Sequence, residues 1–103
     1  MMRVAFEEIA WETSPAGVRF KVQKVGARQL RLLEFSRALV HPHWCTTGHL
    51  GYVLEGAMEV EFTTGSQVFR EGDGVAIPAG EVDKHRPRAL TERVRMIFVE
   101  DAS

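Results

Sequence analysis

Apolar and polar residues alternate with a period of two along most of the chain. In GVRFKVQKV, Val18, Phe20 and Val22 alternate with Arg19, Lys21 and Gln23. In AMEVEF, Met58, Val60 and Phe62 alternate with Glu59 and Glu61, and near the end Val94, Met96 and Phe98 alternate with Arg93 and Arg95. Side chains two apart on an extended chain share a face, so each run predicts a strand with one dry and one wet side. Further strands are predicted over 29–35, 38–45, 50–55, 67–70 and 74–78. Arg28 to Phe35 also admits a helical reading, but its short length and its strand neighbours favour a strand. Turn signals punctuate these runs at short intervals, among them Pro15-Ala16-Gly17, Thr46-Thr47-Gly48, Glu55-Gly56 and Pro78-Ala79-Gly80. The pattern predicts an all-β fold, a single antiparallel β-barrel or jelly roll. Residues 1–15, with Ile9 and Trp11, predict an arm or edge strand that covers an opening or reaches a partner subunit.

Size and charge narrow the function classes. A chain of 103 residues and 11.6 kDa has room for one core, so residues 1–103 are expected to form a single domain. Thirteen basic against fourteen acidic side chains leave a net charge of −1, without the basic surplus of a nucleic-acid binder. No run approaches the ~20 apolar residues of a membrane span. The first fifteen residues lack the basic start and apolar run of a secretion signal, so the cytoplasm is the expected location. The single cysteine, Cys45, has no internal disulfide partner.

Two segments carry a family resemblance. HPHWCTTGHLGYVLEG (41–56) followed by GDGVAIPAGEVDKH (72–85) resembles the paired motifs of the cupin family of small β-barrels. Tyr52-Val53-Leu54-Glu55-Gly56 matches the end of the first motif, and Gly72, Pro78 and Gly80 match the second without a gap. The resemblance spans roughly residues 30–100 and implies a cupin barrel. It also implies a divalent metal held by an H-x-H pair, an acidic residue a few positions on and a histidine from the second motif.

This chain departs from that ligand set. His49 stands at the acidic position, His43 and Cys45 fill the H-x-H slots, and Asp83 occupies the second histidine slot with His85 two residues beyond. His41 is an alternative to Cys45 in the pair. If Thr46-Thr47-Gly48 closes a hairpin, Cys45 and His49 face each other across a ladder. The candidate metal ligands are therefore His43, Cys45, His49 and His85, with Asp83 as the alternative to His85. Nitrogen and sulfur donors favour zinc, with iron, manganese or nickel left open. The bland readings are a Cys45 that is a small buried hydrophobe and histidines that line an unmetallated pocket. Arg86 and Arg88, in a basic run with Lys84, are candidates to dock an anionic group on a ligand; the bland reading is a solvated strand end neutralised by Glu81 and Glu92. Trp44 and Tyr52 fall on the opposite face by parity.

Two functions compete at this level. The first is a small barrel binding a metal and a small polar or anionic molecule in its cavity, with enzymatic activity undecided. The second is a non-catalytic module that binds or senses a sugar-like effector with a degenerate metal site. A redox or metal sensor centred on Cys45 is a third. A small barrel with exposed edges is also expected to form a homodimer.

Overall fold

The computed structural model describes residues 1–15, 17–39 and 43–102. Apart from one short 3-10 turn, Phe6–Glu8, its regular elements are strands: β1 Glu12–Thr13, β2 Arg19–Val25, β3 Arg28–Ser36, β4 His49–Glu55, β5 Ala57–Phe62, β6 Gly65–Arg70, β7 Gly74–Ile77, β8 His85–Ala89 and β9 Arg93–Asp101. They form two antiparallel sheets, ordered β1-β2-β3-β9-β4-β7 and β6-β5-β8. The all-β jelly-roll expectation holds, and Arg28–Ser36 is a strand. No helix among the described residues is long and apolar enough to cross a membrane.

The period-two pattern decides which side chains face inward. Phe35, Val94, Met96 and Phe98 of the large sheet meet Met58, Val60 and Ala89 of the small one, joined by Val53, Val75 and Ile77. All ten are buried, and burying the nine that are larger than alanine stabilises by about 1.5–3 kcal/mol each. At Gly56, between β4 and β5, φ is +81°, a conformation a side chain resists. A Cβ there would also run into the Arg93 carbonyl oxygen.

Two local expectations change. The strand expected over 38–45 is reduced to an isolated bridge at Cys45, with residues 40–42 outside the described part. Strand β8 emerges from a segment whose charges and Pro87 mask it. His85 exchanges both backbone hydrogen bonds with Cys45, at 2.8 and 2.9 Å. Backbone groups alternate sides along a strand, so Pro87 turns its missing N–H toward that same lightly paired edge rather than toward β5.

The N-terminal arm folds back onto β2. β1 pairs with β2, Lys21 Nζ donates to the Phe6 carbonyl at 2.7 Å, and the Arg19 and Lys21 cations lie 4.2 and 4.8 Å from the centre of the Trp11 ring. Beneath the arm, Glu34 is only 8% exposed and accepts hydrogen bonds from Arg19 (2.9 Å) and Arg95 (2.6 Å). Burial pushes its pKa up, but the hydrogen bonds and charges of Arg95 and Arg19 outweigh burial and hold the carboxyl below its ordinary 4.5. A depressed carboxyl pKa contributes stability above the unfolded-state value and loses it as pH falls through the folded one. Urea unfolding should therefore show stability declining below about pH 4.5. In Glu34→Gln, stability at pH 7 should be lower by about 2 kcal/mol and the acid decline shallower; an unchanged acid decline would assign it to other groups.

Candidate metal centre

Three elements converge at one end of the space between the sheets. Cys45 is hydrogen-bonded through its backbone to His85 at the start of β8, on the small sheet. His49 opens β4 on the large sheet and pairs with Ile77 of β7. The hairpin expected to set Cys45 opposite His49 is absent. Instead residues 46–48 cross from one sheet to the other, held where Gly80 N–H donates to the Thr46 carbonyl at 2.9 Å, and Cys45 has His85 as its ladder partner. The side chains still meet: donor atoms of Cys45, His49 and His85 all lie within 4.8 Å of one another.

Among the described residues, each imidazole presents one buried, unpartnered nitrogen. His85 is 3% exposed, and its Nδ1–H donates to the Asp83 backbone carbonyl at 2.9 Å, which leaves Nε2 as the nitrogen available to another partner. His85 Nε2 and His49 Nδ1 are buried with no hydrogen-bond partner among the described residues. Buried polar nitrogens without partners are rare in folded proteins and mark a place where something else binds. The His49 pKa is pushed down to about 4, first by burial and then by the nearby His85 and Arg31, so its imidazole is neutral at pH 7. The two rings meet edge-on with centroids 5.1 Å apart, and His49 stacks on Phe98 at 4.7 Å. Gly51 makes that stack possible, because a Cβ there would run into the Ile97 carbonyl oxygen and the Phe98 ring.

The donor set fits a borderline-soft divalent ion: two imidazoles and one thiol that becomes a thiolate on binding, with His85 oriented by a backbone acceptor. The other residues singled out from the sequence fall elsewhere. His43 is exposed at the rim of the cavity and stands apart from the three-donor cluster. Asp83 serves through its backbone carbonyl, and His85 takes the inward position. His41 lies outside the described residues. Arg86 and Arg88 point away from the cavity on the outer face of the small sheet, bonded to Glu61 (2.7 Å) and Glu59 (2.8 Å) rather than to Glu81 or Glu92. Trp44 lies against Arg86, 4.3 Å from its guanidinium, and also lines the cavity rim.

The cluster opens into a cavity of about 440 Å³ between the sheets. Arg31 reaches it from the middle of β3, a position that alternation alone places among inward apolar residues and that the sequence reading passed over. Its Nε and Nη2 lie 2.8 and 3.2 Å from the Glu100 carboxylate, which Gln29 also engages at 2.8 Å.

Two facing antiparallel sheets with a Cys-His-His donor cluster between them define a small protein of the jelly-roll class. The family model described as the cupin domain matches residues 36–100, and the chain belongs to that family. No curated protein matches the sequence. Among solved structures, KdgF from a Halomonas species is 24% identical, with a TM-score of 0.75 over 94% of this chain and 89% of that one. An RmlC-like cupin from Shewanella frigidimarina is 17% identical, with a TM-score of 0.73 over 97% and 91%. A sugar phosphate isomerase of the cupin superfamily from Silicibacter pomeroyi is 15% identical, with a TM-score of 0.74 over 99% and 76%. At these identities the likeness establishes the shared fold.

Proposed function

We propose that this protein binds one divalent metal, zinc by preference, through Cys45, His49 and His85, and holds a small molecule beside it in the cavity. One observation carries this reading: a thiol and two imidazoles within 4.8 Å, with two buried imidazole nitrogens lacking partners. Bound there, the metal would supply Lewis acidity toward an oxygen on the small molecule. His85, fixed by the Asp83 carbonyl, keeps its lone pair aimed into the site, and Phe98 keeps the His49 ring from turning. His43, exposed at the rim, is placed to exchange protons with solvent. A non-catalytic binding module would use the same cavity without turnover. The free thiol suits a reducing compartment, in line with the cytoplasm.

Protein purified without an affinity tag should carry about one equivalent of zinc per chain after reconstitution. Cobalt substitution should give a thiolate-to-cobalt charge-transfer band. Cys45→Ala should abolish that band, and His49→Ala and His85→Ala should each weaken zinc binding by tenfold or more, whereas His43→Ala should leave it within about threefold. Failure to bind zinc, cobalt, nickel, manganese or iron would overturn the metal reading.

We further propose a homodimer formed through the outer face of the large sheet. The register aligns Leu32, Ile97 and Tyr52 in one outward row and Leu30, Val99, Leu50 and Ala76 in the next, with no charge among the seven. Leu50 is 56% exposed and Tyr52 47%. Contiguous exposed apolar surface of this kind marks an interaction site. An apolar patch of this kind can meet its own copy about a two-fold axis. The Trp11 arm is engaged within its own subunit, so the sheet face takes over the role that the sequence suggested for the arm. Sedimentation at tens of micromolar should show a dimer, and Leu50→Glu a folded monomer with an unchanged circular dichroism spectrum. A monomeric wild type would contradict this.

A further inference from the structure

The cavity is chemically lopsided. Its wall from both sheets is hydrocarbon, including the deeply buried Phe35, Met58, Val60, Val75 and Met96. The polar groups that reach it are few: the Cys45-His49-His85 cluster, Arg31, the Ser14 hydroxyl and, at the exposed rim, His43 and the Trp44 indole. Neither candidate source of positive charge is free for an anion. Arg86 and Arg88 face outward and are ion-paired, and the Arg31 charge is paired with Glu100, through an Nη2 hydrogen bond at 3.2 Å and an Nε that stands 2.8 Å from the carboxylate without a hydrogen bond of its own among the described residues.

A polyhydroxylated ligand would leave most of its hydroxyls against aliphatic and aromatic carbon. Each hydroxyl stripped of hydrogen-bond partners costs roughly tenfold in affinity. A carboxylate set away from the cluster would be desolvated without a free counter-charge. A hydrocarbon body gains by displacing cavity water, since 440 Å³ corresponds to about fifteen liquid waters.

We infer that the cavity takes a compact, neutral, hydrocarbon-bodied molecule bearing one oxygen donor at one end, such as a cyclic alcohol or a phenol. The ring occupies the space between Val60 and Met96, and the oxygen points to the Cys45-His49-His85 cluster. This rests on reading the cavity as the ligand site and does not require that the metal be present. It sets aside both the sugar-like and the anionic ligand that the sequence left open.

The test compares cyclohexanol, myo-inositol and cyclohexanecarboxylate, which share one ring, by calorimetry on chelator-treated and on zinc-loaded protein. Cyclohexanol should bind the metal-free protein at least a hundredfold more tightly than myo-inositol and at least tenfold more tightly than the carboxylate. Val60→Phe, which fills the cavity, should weaken cyclohexanol binding at least tenfold and leave zinc stoichiometry unchanged. In the unmodified protein, nuclear Overhauser contacts should connect the cyclohexanol ring to the Met58 and Met96 methyls, a readout independent of whether the variant folds. Tighter binding of myo-inositol or of the carboxylate, or the absence of those contacts, would overturn the inference. Cyclohexanol binding in a protein that takes no zinc would remove the metal reading and leave this one standing.

Discussion

The paired backbone hydrogen bonds between Cys45 and His85 organise the functional end of the molecule. They fasten the segment preceding β4 to the small sheet, so the few residues from Cys45 to His49 must cross to the large one. That crossing places a thiol and an imidazole from opposite sheets against the imidazole of His85. Cβ atoms of a directly opposed antiparallel pair sit ~5 Å apart, so the Cys45-His85 bridge sets one side of the donor triangle. The stack of His49 on Phe98, permitted by the bare Gly51, sets the other. A donor cluster defined by backbone pairing and ring packing can hold its shape before any ion arrives, which is how a metal site avoids the cost of ordering its ligands.

The same alternation that builds the cluster separates two chemistries across each sheet. Inward positions of β3, β5 and β9 line a largely apolar cavity, while outward positions carry Glu–Arg pairs: Glu59 with Arg88, Glu61 with Arg86, and Glu34 between Arg19 and Arg95. The exposed pairs contribute little to stability individually but keep charge off the core face and blunt the sheet surfaces. Glu34 differs because it is buried between Arg19 and Arg95, both of which lie against the Trp11 ring, and there the arginine bonds prevail over burial. Where the outward rows turn apolar, at Leu50, Tyr52 and Val99, the surface lacks this protection.

Much of this was legible in the sequence because period-two alternation and glycine spacing are local signals. The strands at β2, β3, β5 and β9 and the Gly72-Pro78-Gly80 spacing lead directly to the barrel. Cys45, His49 and His85 were all identifiable as candidate ligands. Their meeting was foreseen for a different reason than the one that operates, since a hairpin was expected where the chain changes sheets. Whether Thr46-Thr47-Gly48 turns back or crosses over depends on contacts with Gly80, more than thirty residues away, which no local pattern encodes. Strand β8 was hidden because Pro87 and its charged neighbours read as loop, although a lightly paired edge tolerates both. The outward direction of Arg86 and Arg88 follows from β8 and was lost with it. Arg31 was passed over because nothing local says that Glu100 waits across the sheet.

The claim on which the account rests is that Cys45 is a ligand rather than a small buried filler. X-ray absorption at the zinc edge of the reconstituted protein tests it without reference to activity. The account predicts one sulfur scatterer at about 2.3 Å together with imidazole nitrogens at about 2.0 Å, the sulfur vanishing in Cys45→Ser. A first coordination sphere of nitrogen and oxygen alone in the unmodified protein would contradict it.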